Sequence, residues 1–174
     1  MIRYGSVCSG VEAASLAWRP LGWQCQFVAE IDKFPAAVLR ERFPEVPNLG
    51  DMTKIKIEEN DDTATSPICR ANGPIDLLVG GTPCQSYSVA GKREGNRGVS
   101  GLSLDYIRLA YESHARWIVW ENVPGVFSST GGLDFAAFLS GLCGGEVTVP
   151  RGGVEKRRNL RQCPRMLRRG MASA

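Results

Sequence analysis

Histidine is almost missing from this 174-residue chain: His114 is the only one. It stands near a predicted helix end with no triad partner in evidence, which marks it as a surface residue rather than a catalytic base. The six cysteines, Cys8, Cys25, Cys69, Cys84, Cys143 and Cys163, never form a C-x-x-C pair, so zinc and thioredoxin-like sites lack their spacing and no metal is expected. No run of 18 apolar residues occurs, and the N-terminus has no signal-peptide pattern. The expectation is a chain without a membrane partner, in a reducing cytoplasm where a disulfide framework does not persist. Also absent is a G-x-G-x-x-G turn: Gly10 is followed by Val11, Glu12, Ala13 and Ala14. That disfavours a pyrophosphate cradle and favours a nucleoside cofactor without phosphates.

What is present suits one folded domain with a real core. Hydrophobic residues make up 43% and charged residues 22%, the balance of an ordinary globular protein. Charge is unevenly spread. Residues 151–174 hold seven Arg and one Lys against Glu155, a net +7, so the rest of a chain at +3 carries −4. Such a tail reads as a nucleic-acid arm or as a solvated tail of no specific function.

Strand and helix patterns alternate along the chain. Ile2 to Val7 reads as a strand running into Ser9-Gly10, and Val11 to Leu21 as a helix stopped by Pro20 and Gly22. Cys25 to Ala29 is a second strand, Phe34 to Phe43 a helix ended by Pro44, and "VPNLGDM" a short third strand. Residues 54–74 are polar, with acidic residues at 58, 59, 61 and 62, and read as a loop or weak helix. Ile75 to Val79 is a fourth strand bounded by Gly80-Gly81, Leu102 to Ala115 a helix, "RWIVWENV" a fifth strand, and Leu133 to Leu142 a last helix. Trp117 and Trp120 frame the fifth strand as core residues. This order predicts an α/β fold with a doubly wound, mostly parallel sheet.

Candidate site residues cluster where strands end. Ser9 and Gly10 follow the first strand, where a backbone can approach a ligand closely. Glu30 ends the second, where a carboxylate can accept from two ribose hydroxyls; the same layout would suit NAD. Asp51 follows the third and can accept from an exocyclic amine. Cys84 follows Pro83 at the mouth of the Gly80-Gly81 turn, where open α/β sheets keep their ligands. Ser86 to Gly101, rich in Ser and Gly with Lys92, Arg93 and Arg97, suits a loop closing over a phosphate backbone.

The segments "GSVCSGVEAASLAW", "AEID", "LGDM", "GGTPCQSYSVAG" and "WENVPGV" resemble, in order and spacing, successive motifs of the DNA cytosine-5 methyltransferases. The first resembles variants found in bacteriophages and prophages. The resemblance covers about residues 3–150 and implies the Rossmann-like catalytic domain of S-adenosylmethionine-dependent methyltransferases, over residues 1–150. It implies a double-stranded DNA substrate in a bacterial or phage-infected cell. Carried over, the nucleophile is Cys84, with Glu121 at the base. Glu30 holds the cofactor ribose and Asp51 lies near the adenine, with Ser9, Gly10, Ile31, Met52 and Pro83 completing the cofactor site. Related readings are a cytosine-5 tRNA methyltransferase and a non-catalytic remnant that at most binds cofactor.

Beyond Gly153 the resemblance stops. No Gln-x-Arg-x-Arg motif, target-recognition region or returning segment follows, so the sheet is expected to be incomplete on its C-terminal side. The fifth strand would then offer an exposed apolar edge for self-association. Codons for residues 153–158, shifted one base forward, can spell Ala-Trp-Lys-Asn-Ala-Gly, and those for 164–169 Pro-Gly-Cys-Tyr-Gly. Both strings resemble what relatives carry after a "VPRGG" segment, so the expectation for residues 151–174 is an unstructured product of a shifted reading frame.

Overall fold

A computed structural model describes residues 1–56, 75–83 and 101–149. The chain divides into two compact units, Met1–Cys84 with Gly101–Asn122, and Gln85–Ser100 with Val123–Ala174.

The first unit holds a sheet built from β1 (Arg3–Val7), β2 (Gln24–Ala29), β3 (Leu77–Gly80) and β4 (Trp117–Trp120). Every pairing is parallel, in the order β2-β1-β3-β4. A parallel strand covered on both faces needs apolar residues throughout, not in alternation. β1 meets that need with Tyr4, Gly5, Ser6 and Val7 all buried, and β3 with Leu77 and Leu78. Gly5 is required there because a β-carbon would overlap the ring of Phe27 on β2.

Helices occupy the crossovers: α1 (Ala13–Trp18), α2 (Lys33–Arg42) and α3 (Gly101–Glu112). α1 starts later than its apolar pattern suggests because Glu12 has a left-handed backbone, φ 65°, and its carboxylate accepts the Ser15 N–H at 3.1 Å. One N–H at this helix start is therefore capped by the chain's own carboxylate. α3 is locked to the sheet by Tyr106, which is fully buried and donates its hydroxyl to the carbonyls of Leu78 (3.2 Å) and Val119 (2.9 Å).

Two expectations need correction. "VPNLGDM" is not a strand: it meets β2 through one bridge, Asn48 opposite Val28. Pro47, lacking an N–H, lends only its carbonyl, to Val28 at 3.0 Å. Trp117 is not a core residue but 56% exposed, with the Arg116 guanidinium 5.7 Å above its ring. Residues 54–56 end the turn after Asp51, while 57–74, the Cys84 loop to residue 100 and the basic tail lie outside the described residues.

In the second unit, tight turns at Pro124–Phe127 and Ser129–Gly132 lead into α4 (Leu133–Cys143). Asp134 in its first turn is buried and accepts from the hydroxyls of Ser129 and Thr130, satisfying a carboxylate where the helix dipole favours one. Among the described residues, no helix is long and apolar enough to cross a membrane.

Candidate active site

Register gathers the candidate residues. Val7 lies opposite Ala29 on one side and Gly80 on the other, and Gly80 lies opposite Trp120. The four strands therefore end together. Ser9-Gly10, Glu30-Ile31, Gly81-Thr82-Pro83 and Glu121 leave the sheet along one edge, with the switch in strand order between β1 and β3. This is the place where open α/β sheets bind ligands.

Glu30 is fixed from two directions. Its Oε2 accepts the Gly10 N–H at 2.8 Å, and its Oε1 accepts the Asp32 N–H at 2.8 Å. Each oxygen keeps a further lone pair for a ligand hydroxyl. Gly10 itself has φ 54°, and the space where a β-carbon would stand is open. Ser9 laces the loop to β2: its hydroxyl accepts the Ala29 N–H at 3.1 Å and donates to the Ser6 carbonyl at 3.0 Å.

Asn48 was not among the residues singled out from sequence, yet it grips Glu30 by both backbone groups. Its Oδ1 accepts the Glu30 N–H at 3.0 Å, and its Nδ2 donates to the Glu30 carbonyl at 3.1 Å. The same Oδ1 accepts from Gly50 at 3.0 Å. An asparagine in a loop is a common turn former, so nothing in its local pattern announces this longer-range grip.

Asp51 caps the turn Met52–Lys54 through the Thr53 N–H (3.0 Å) and hydroxyl (2.8 Å). The Thr53 hydroxyl, then its N–H, then Lys54 hold this carboxyl below the usual range. Met52 is buried and touches Cys8, Sγ to Sδ 3.4 Å. Ile31, by contrast, is 73% exposed, an apolar side chain free to lie against a flat ligand. Burial, and secondarily the charge of Glu30, pushes the Cys8 thiol up to about 11. Cys25 is pushed to about 12, by burial first and then by Glu12. Both stay protonated at neutral pH, as structural cysteines should.

The approach to Cys84 is rigid up to the last described residue. Thr82 is buried; its hydroxyl accepts from Trp120 Nε1 at 3.0 Å and pairs with Ser103 at 3.3 Å, while its carbonyl accepts from Asn122 at 3.2 Å. Pro83 follows, exposed. Glu121 donates its N–H to the Gly80 carbonyl at 3.0 Å, and its Oε2 lies 2.7 Å from where a Gly81 β-carbon would be. Cys84 itself falls outside the described residues.

The edge thus carries an open loop, a fixed carboxylate with spare lone pairs, a capped turn and a second carboxylate over a glycine. The sequence profile described as C-5 cytosine-specific DNA methylase matches residues 2–143. A protein of Escherichia phage P1 named DNA N-6-adenine-methyltransferase is 47% identical over 159 residues, 86% of this chain and 20% of that one. An orphan methyltransferase of Bacillus phage rho11s is 36% identical over 132 residues, covering 73% of this chain and 24% of the relative. The chain therefore spans about a quarter or less of the length of these two relatives. Among solved structures, a DNA modification methyltransferase described as putative, from an Escherichia coli prophage, superposes with a TM-score of 0.56 at 23% identity, over 75% of this chain and 34% of that one. That likeness supports the fold.

Proposed function

Since the chain belongs to the C-5 cytosine-specific DNA methylase family, we propose that it carries the cofactor and nucleophile side of a site that methylates C5 of cytosine in double-stranded DNA. The observation that carries this reading is the shared edge: Glu30, Gly10 and the Gly81-Thr82-Pro83 approach to Cys84 leave the sheet in one register with Glu121.

The residues suit S-adenosylmethionine, which when bound supplies an electrophilic methyl group. Glu30, held by two N–H groups, offers its remaining lone pairs to a ribose diol. Asp51 would accept from the adenine amine and exposed Ile31 would lie against the ring, with Ser9, Gly10, Met52 and Pro83 completing the site. The Glu12 carboxylate at the start of α1 disfavours phosphates there, which separates this pocket from one for NAD.

Cytosine C5 is too poor a nucleophile to react unaided. Addition of the Cys84 thiolate to C6 breaks the ring conjugation and places enamine-like density at C5. A proton passed from the Glu121 carboxyl to N3 balances the charge as the thiolate adds. After C5 accepts the methyl group, loss of the C5 proton to a base expels the thiolate and restores the ring. The exocyclic amine of adenine needs no such thiol addition, so Cys84 favours cytosine over the N6 chemistry in the name of the phage P1 relative.

Product identity tests the reading. Duplex DNA treated with the protein and methyl-labelled cofactor, then digested to nucleosides, should carry label in 5-methylcytosine. Label in N6-methyladenine alone would replace this proposal with the adenine reading.

A further inference from the structure

Arg108 on α3 lies more than fifty residues from the cofactor-side turn in sequence, yet it reaches that turn with most of its guanidinium. Nη1 donates to the Ile55 carbonyl at 2.8 Å, and Nη2 to those of Met52 (3.3 Å) and Thr53 (3.4 Å). The other donors go to its own helix: Nη1 to Glu112 at 2.8 Å and Nε to Asp105 at 3.4 Å. All five N–H groups of the side chain are thereby engaged.

This is more than a helix-surface ion pair. Asp105 and Glu112 are three and four residues away on α3 and would satisfy a solvated arginine by themselves. Here they aim the fork at carbonyls at the end of the short turn Met52–Lys54, where the Met52 carbonyl receives only a long bond from the Ile55 N–H, 3.4 Å. Met52 also rests against Cys8 on the loop after β1. Asp51 in turn takes its orientation from Thr53, inside the segment that Arg108 holds.

We infer that Arg108 is a positioning residue that fastens the turn Met52–Lys54 to α3 and so sets Asp51 and Met52 for recognition of the cofactor's adenine. The inference rests on the proposed cofactor site. Arg108 touches no ligand; it acts through the turn. Lysine cannot replace it, because a single ammonium lacks the planar fork that spans three carbonyls and two carboxylates.

The test uses the full chain and two unreactive ligands, S-adenosylhomocysteine and its inosine counterpart, in which the 6-amino group is a carbonyl. Wild-type protein should prefer the adenosyl ligand. Arg108→Met should lower affinity for it by about tenfold while leaving the inosyl ligand nearly unaffected, and Arg108→Lys should restore little. Hydrogen exchange should rise in peptides covering residues 51–56 and stay unchanged in β1. A variant that keeps both the wild-type preference and slow exchange at 51–56 would overturn the role of Arg108 while the cofactor reading stands. Wild-type protein that binds neither ligand would overturn the cofactor reading itself, and the adenine role with it.

Discussion

Gly81 sits so close beneath Glu121 that a β-carbon on it would come within 2.7 Å of the Glu121 carboxylate. The neighbouring Gly80 is confined differently, since its β-carbon would meet the Val7 carbonyl at 2.6 Å and the Tyr106 ring at 3.0 Å. The two glycines of one turn thus serve different ends, the second making room for a site residue and the first for the core.

Gly81→Ala should therefore displace Glu121 and little else, because the clashing atom ends a flexible side chain. Methyl transfer should fall at least about tenfold with cofactor affinity unchanged, if Glu121 contributes the charge balance expected of it. Gly80→Ala meets backbone and a buried ring, and should cost stability by about 1–3 kcal/mol. Calorimetric melting paired with a transfer assay separates the two, and equal losses of stability would contradict the assignment.

Glu30→Ala should weaken S-adenosylmethionine binding by roughly 1–3 kcal/mol, since ribose hydroxyls would lose their acceptor. Asn48→Ala should produce a smaller loss by releasing the Glu30 backbone without removing the carboxylate. Titration calorimetry checks both, and wild-type affinity in Glu30→Ala would remove the ribose assignment.

Thiol reactivity follows from burial. At pH 8, Cys8 and Cys25, pushed up to about 11 and about 12, should alkylate roughly a hundredfold and roughly a thousandfold more slowly, respectively, than an unperturbed thiol. Residue-resolved mass spectrometry after brief iodoacetamide treatment reads this directly. Fast labelling of Cys8 would mean that it is not held as described. Because both folded values are raised, the stability these thiols contribute is complete below their ordinary range and is lost as pH climbs through it toward the folded values. Melting temperature should decline above about pH 9.

Asp51 has the opposite sign. Its folded carboxyl is held low by Thr53 and Lys54, so its capping contribution is present above the ordinary aspartate range and fades as pH falls through the lowered value. Exchange at the Thr53 and Lys54 amides should therefore rise only in strong acid, below about pH 4. A rise already near pH 6 would contradict the cap.

Much of this arrangement was legible in the residues. Buried parallel strands announce themselves as unbroken apolar runs such as Leu77-Leu78-Val79 ended by glycine, and their limits shift by about one to three residues between sequence and structure, most at the last strand, which ends at Trp120 rather than Val123. Strand ends in turn bring Ser9, Glu30, Gly81 and Glu121 together, because parallel register leaves little freedom. The rest was hidden for physical reasons. An apolar strand flanked by tryptophans reads as core whether it is central or at an edge, so nothing in the pattern marks Trp117 as exposed. Asn48 and Arg108 act on backbone groups, and a side chain bound to a backbone carbonyl or amide leaves no pattern in the types of residue around it. Glu12 is hidden likewise: its place in the helix pattern conceals a left-handed turn.

The central claim is that this chain supplies the cysteine that attacks cytosine. Duplex DNA containing 5-fluorocytosine, incubated with the full chain and S-adenosylmethionine, lacks the C5 proton whose loss would release the thiolate, so the adduct should accumulate. A denaturation-resistant complex is expected, with its cross-link mapped to Cys84 by mass spectrometry and absent from Cys84→Ser. Methylation of cytosine by wild-type protein without that cross-link, or an equal cross-link in Cys84→Ser, would contradict the account.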